Sequence, residues 1–208
     1  METCYISLGS DCSVSYQLRR LGLQTRGSMP FDWMRIDNLQ AVISILEAEY
    51  EGFARFESYT IKTQALAFDY FGSISSSRGV GDSSGDDNFG LKSQNRMTHT
   101  KYKFILPHEY QGDVINKDDF QEKYARRIKR FLEVGRSPAL RKVFLRLGTS
   151  RERDASIQRK LDAALNKLGI VNYEVKYIIL EECADLIPKN EPFRWQRDYI
   201  PWEKLFVS

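Results

Sequence analysis

The chain has 208 residues, 42% hydrophobic and 28% charged, which is enough apolar content to bury a core and too much for a chain disordered throughout. Its 31 Lys and Arg against 28 Asp and Glu leave a net charge of +3, an excess too small and dispersed to predict binding to nucleic acid or to a membrane surface. No apolar run approaches the roughly 18 residues of a membrane span, and no basic region precedes an apolar core at the N-terminus. The expectation is therefore a cytoplasmic protein.

Cys4 to Leu8 is a short apolar run that predicts a buried strand. From Asp11 the period changes: Val14, Leu18 and Leu21 share a helical face, Arg19 and Arg20 turn outward, and Gly22 stands where a left-handed cap belongs. A second helix is expected from Asp37 or Asn38, with Leu39, Val42, Ile43 and Leu46 on one face. Between them GSMPFDWM reads as a loop pinned into the core by Phe31 and Trp33, holding Asp32 against apolar surroundings.

Residues 53–70 are aromatic-rich and ambiguous. A Gly, Ser and Asp-rich segment follows, read as a mobile polar loop over 72–100, either a lid or padding. Alternation of Tyr102, Phe104 and Leu106 predicts a strand ending at Pro107, with His108 just past it. Phe120, Tyr124, Ile128, Phe131 and Leu132 predict a helix closed by Gly135. Within it Arg126, Arg127, Lys129 and Arg130 read as a solvated face.

KVFLRL, Lys142 to Leu147, predicts a strand; Arg151 to Leu168 a long amphipathic helix; and VKYIIL, Val175 to Leu180, the last strand. This alternation predicts a single α/β domain with a mainly parallel sheet and helices on both faces, in three layers. The aromatic tail, 188–208, with Trp195, Tyr199, Trp202 and Phe206, is expected to pack on the body.

Cys12, in the first turn of a helix that follows a strand, meets backbone N–H groups and the positive end of the helix dipole, which favour thiolate and can stabilise an oxyanion. The same position also suits a buried packing residue. Cys4 and Cys183 read as structural. Three cysteines without ligand spacing, and only two histidines, argue against a disulfide framework and against a metal centre.

Of the two histidines, His99 follows the polar loop, whereas His108 at a strand end is the better base for a thiol. A third, orienting group could be Asp32, Glu109, Asp113 or Asn116, and the aromatic setting puts Asp32 first. Ser10, Asp11, Ser13 and Trp33 are candidate supporting residues around Cys12 and Asp32. Arg146, a charge inside an apolar strand, either points into the site, pairs with a carboxylate, or marks an exposed face.

SLGSDCSVSYQLRRLGL, SMPFDWM and FILPHEY together resemble the papain-like cysteine peptidases grouped as domain of unknown function 1796, found in bacteria and large DNA viruses. The resemblance implies Cys12 as nucleophile, His108 as base and the PFDW segment, with Asp32, near the site. Glu109 departs from it, since an Asp is expected after the histidine. A papain-like architecture would be α+β. The alternation of elements instead favours α/β with the cysteine at a strand-to-helix turn, similar to serine esterases of the GDSL type.

The functional expectation is a cofactor-free cysteine hydrolase acting on a protein or peptide through a Cys/His dyad or triad. The alternatives are a thiol acyltransferase using the same groups, and a non-catalytic α/β module that binds a protein or glycan.

Overall fold

The computed structural model describes residues 1–64, 67–68, 74–75, 94–107, 109, 116–187 and 196–206. The N-terminal apolar run forms β1 (Glu2–Ser7). The change of period produces α1 (Cys12–Arg20), whose N-cap is Asp11, and Gly22 beyond it takes φ 69°, the left-handed conformation that glycine adopts without steric cost. Asn38 caps α2 (Leu39–Glu47) by accepting the Ala41 N–H. The middle of the chain holds β2 (Tyr59–Gln64), β3 (Ala67–Phe68), β4 (Ile74–Ser75), β5 (Gln94–His99) and β6 (Ile105–Leu106). Then come α3 (Lys117–Arg136), β7 (Leu140–Gly148), α4 (Ala155–Lys167), β8 (Tyr173–Ile179) and the short α5 (Trp202–Phe206).

β1, β7 and β8 form a parallel sheet in the order β1-β7-β8, with Ile6 opposite Phe144 and Phe144 opposite Val175. The central strand reads LRKVFLRLG and is buried at every residue but Arg141, as a parallel strand covered on both faces must be. Its side chains divide by strand period. Val143, Leu145 and Leu147 pack with Val14 and Leu18 of α1 and Trp202 of α5. Phe144 joins Ile6, Leu46 of α2, Phe131 of α3 and Leu165 of α4. Lys142 is tolerated in this core because its ammonium reaches back to the carbonyls of Ser137 and Leu140, at 2.8 and 3.0 Å.

The molecule is a mixed α/β protein, with no closed barrel among the described residues, but the sheet content is less parallel than the alternation predicts. β2, β5 and β6 make a separate antiparallel sheet, and β3 pairs with β4. The reason is local. Residues 100–103 form a tight turn in which Lys103 takes φ 59° and donates to His99 O at 3.0 Å, and so short a connection can join only antiparallel neighbours. The alternation of Tyr102, Phe104 and Leu106 marks burial rather than a strand, because all three are buried while only Ile105–Leu106 is paired.

Two further expectations change. The polar loop expected over 72–100 ends sooner, since 94–99 pair residue by residue with Tyr59–Gln64; residues 76–93 lie outside the described ones. Gly135 does not close α3 but lies within it. A Cβ there would sit 2.9 Å from Ile170 Cγ1, so glycine is needed for close packing instead. Among the described residues no helix is long and apolar enough to cross a membrane.

Candidate active site

Beyond the end of β1 the backbone joins three distant segments. Ile36 N donates to Ser10 O at 2.8 Å, and Arg35 and Ile105 exchange two bonds of 2.9 Å each. The turn containing Ser10, Asp11 and Cys12 is thereby tied to the loop containing Asp32, and that loop to the strand that runs into Pro107. His108, the next residue, lies outside the described residues, as does Asp113.

Cys12 is the first residue of α1 and retains 9% of its surface. Burial pushes its thiol pKa far above the usual range; the neighbouring Asp11 carboxylate raises it further and Arg35 pulls it down. The helix dipole alone therefore does not produce a thiolate. The Ser13 N–H, one candidate oxyanion donor, is already given to Asp11 Oδ1 at 2.9 Å, and Ser13 Oγ makes a short bond to the same oxygen. Ser10 takes φ 132° beside Gly9 at φ 75°, which turns the chain between strand and helix.

Asp11 carries a second partner. Arg197, from the tail, donates to its Oδ2 through Nε and Nη2 at 2.9 and 2.8 Å. Burial would raise the Asp11 pKa, but this guanidinium and the Ser13 bonds outweigh it and hold the carboxyl below its ordinary value.

Asp32 is 1% exposed. It accepts from Ser15 Oγ at 2.9 Å, from Gln24 Nε2 at 2.7 Å and from Met29 N at 2.7 Å, so it fastens its own loop to the buried side of α1. Burial nevertheless prevails over these donors and pushes its pKa up to about 6. A carboxyl raised in this way favours the fold when protonated: its contribution is complete below its unfolded value and is lost as pH rises through about 6. Asp32→Asn removes that dependence. Urea titrations at pH 4 and pH 7 are expected to show wild type losing about 2–2.5 kcal/mol relative to the variant across that interval, and parallel curves would show that Asp32 titrates as an ordinary carboxyl.

The loop is anchored differently from expectation. Phe31 is fully buried against Tyr50, Phe53 and Phe131. Trp33, however, is only half-buried and takes φ 62°, and Met34 and Ile36 supply the remaining core contacts. The Trp33 N–H reaches Ser15 Oγ at 3.3 Å. Arg127 and Arg130, read as part of a solvated face, instead brace this loop through the carbonyls of Asp32 at 3.4 Å and Ser28 at 2.5 Å.

The other candidates have structural partners. Arg146 is fully buried, so the exposed-face reading is wrong; it makes a bidentate pair with Glu152, 2.8 Å on each arm. Glu109 holds Lys123 and Tyr124 at 2.6 and 2.9 Å, and Asn116 is the N-cap of α3. His99 is 2% exposed within a ring of Tyr59, Tyr102 and Phe104. Its Nδ1 accepts from the N–H groups of Lys101 and Tyr102, and burial lowers its pKa to about 4. It is thus a neutral imidazole that organises the β5–β6 turn.

Arg197 carries no sequence signal of its own, because its partner Asp11 is 186 positions away, and nothing in the charged run around Glu152 marks it as the carboxylate that turns back onto Arg146. Among the described residues no cluster of three or more His, Cys, Asp or Glu could hold a metal ion.

The family described as "Putative papain-like cysteine peptidase (DUF1796)" matches residues 3–178, and the chain belongs to that family. It is also 23% identical over 239 aligned positions to the uncharacterized protein R408 of Acanthamoeba polyphaga mimivirus, covering 100% of this chain and 98% of the viral one. No solved structure matches the chain.

Proposed function

We propose that the protein is a cysteine hydrolase that cleaves an acyl bond in a protein or peptide, with Cys12 as nucleophile and His108 as its base. The observation that carries this reading is the backbone linkage of Ser10 to Ile36 and of Arg35 to Ile105, which gathers the cysteine turn, the Asp32 loop and the segment leading to His108. Family membership supports the class of enzyme. In this reading the parallel sheet is the middle of three layers, and the nucleophile stands at a strand-to-helix turn.

The resting thiol is protonated, so attack requires a base. His108 takes the Sγ proton as sulfur bonds to the carbonyl carbon, then returns it to the leaving amine as the acyl-enzyme forms; water, activated by the same imidazole, releases the acid. Asp32 accepts three bonds, which leaves a lone pair on its carboxylate for an imidazole N–H. With Ser13 N–H taken by Asp11, the oxyanion falls to other backbone N–H groups around Ser10 and Cys12. No cofactor enters this scheme, and an acyl acceptor other than water would make the enzyme a transferase.

The burial of Cys12 favours one rival, a binding module with an inert thiol. A panel of peptide, ester and ubiquitin-like acyl probes separates the two. Wild type is expected to turn over at least one probe, Cys12→Ala to fall by about three orders of magnitude or more, and His108→Ala to fall comparably. Equal turnover by wild type and Cys12→Ala rules out thiol catalysis at this position.

A further inference from the structure

We propose that Arg197 is a positioning residue for Cys12, acting through Asp11: its guanidinium neutralises the one carboxylate next in sequence to the sulfur, so that negative charge can develop on Cys12. The significance of this role rests on the reading of Cys12 as nucleophile, but its measurement does not.

Asp11 has a job that requires its charge to be close, since its Oδ1 caps α1 through Ser13. That cap places a carboxylate beside a nearly buried thiol, where low polarity strengthens the repulsion. Arg197 answers it with two bonds to the other oxygen, and the two side chains are only 6% and 15% exposed. The arginine is itself held with care. Its Nη1 bonds the Tyr199 hydroxyl at 3.2 Å, its carbonyl accepts Trp202 Nε1 at 2.8 Å, and its backbone takes φ 53°, a region that side-chain-bearing residues avoid.

Among the described residues the charged and titratable groups facing this point are Asp11, which precedes α1, Arg35 from the loop after Trp33, Arg197 with Tyr199 from the tail, and Cys183, whose thiol senses Arg197. Among the described residues only Arg197 bonds the Asp11 carboxylate as a cation. It lies outside residues 3–178 matched by the family, so the tail contributes a part of the site that the matched segment does not contain.

A double-variant cycle tests this through alkylation of the native full-length chain by iodoacetamide, with modification of the Cys12 peptide followed by mass spectrometry at several pH values. Because the rate follows the thiolate fraction, Arg197→Gln is expected to slow Cys12 alkylation about tenfold at fixed pH, an upward shift of about one unit. Arg197→Lys, which keeps the charge, should stay within about threefold of wild type. Because the two charges oppose each other at the sulfur, Asp11→Asn alone should speed alkylation about tenfold, and Asp11→Asn combined with Arg197→Gln should return to within about threefold of wild type.

If Arg197 serves only to anchor the tail, Arg197→Lys departs from wild type as far as Arg197→Gln does and the double variant does not return toward wild type; either result overturns the proposal, as does no change on Arg197→Gln. Should circular dichroism show Arg197→Gln to be unfolded, Asp11→Asn alone decides: faster alkylation supports the coupling, and an unchanged or slower rate refutes it. Unaltered turnover in Cys12→Ala would remove the hydrolase reading while leaving this cycle intact. Wild-type alkylation in Arg197→Gln together with an inactive Cys12→Ala would remove the role of Arg197 alone.

Discussion

Glu152→Ala is expected to destabilise the fold by about 3–5 kcal/mol, read as a lower urea midpoint with an unchanged slope. The loss follows from what the carboxylate holds. Both arms of Arg146 end on it at 2.8 Å, with the two side chains 1% and 8% exposed, so its removal leaves a guanidinium buried without its counter-charge. Glu152 Oε1 also accepts the N–H of Leu39, the first residue of α2, at 2.7 Å. Arg146 in turn reaches the carbonyls of Leu8 and Ile36, at 3.4 and 3.2 Å, one on each side of the candidate site.

The fit around this pair is close, because a Cβ on Gly148 would lie 1.9 Å from Glu152 Oε2. Many buried ion pairs can be exchanged for apolar residues at little cost. Here Arg146→Met combined with Glu152→Leu should recover only part of the loss, since the Leu39 N–H and the Leu8 and Ile36 carbonyls would lose their partners. A double variant as stable as wild type would show that those backbone bonds contribute nothing.

Trp202→Ala carries the second large effect, also about 3–5 kcal/mol. The indole is fully buried among Val14, Leu18, Val143, Leu145 and Leu147, so truncation opens a cavity against the sheet and against the helix that begins at Cys12. Trp202→Phe retains most of the apolar volume but removes the bond to Arg197 O, and should cost about 1–2 kcal/mol. Chemical denaturation of the two variants checks the order. A loss below about 1 kcal/mol for the alanine variant would mean that the tail is not part of the cooperative fold.

The elements that could be read from sequence are those whose causes are local. α1 and α2 announce themselves by a capping residue followed by helical period, and the KVFLRL strand by an apolar run too short for a helix. The β5–β6 turn was misread because burial of Tyr102 and Phe104 imitates strand alternation. Gly135 was misread because a glycine required by Ile170 looks in sequence like a helix stop.

The candidate site divides along the same line. Cys12 and Asp32 stand out through their neighbours in sequence, whereas Glu152 and Arg197 acquire meaning only from Arg146 and from Asp11, the latter 186 positions away. Arg146 shows the boundary well. Its oddity inside an apolar strand was visible, but whether it faced solvent, a carboxylate or the site could be settled only by the chain that folds around it.

The order of the parallel sheet has a consequence for the chain during its synthesis. Among the described residues β1 finds its sheet neighbour only in β7, with Ser7 opposite Leu145, so on a ribosome adding roughly 5–20 residues per second the first strand waits on the order of ten seconds for its partner. Until then Cys4 and Cys12 travel on a nascent segment with no sheet to enter. The Arg197–Asp11 contact comes later still, after some fifty more residues. The environment of Cys12 is thus completed only after Arg197 has been made, and an early thiol trap on stalled chains would find it open.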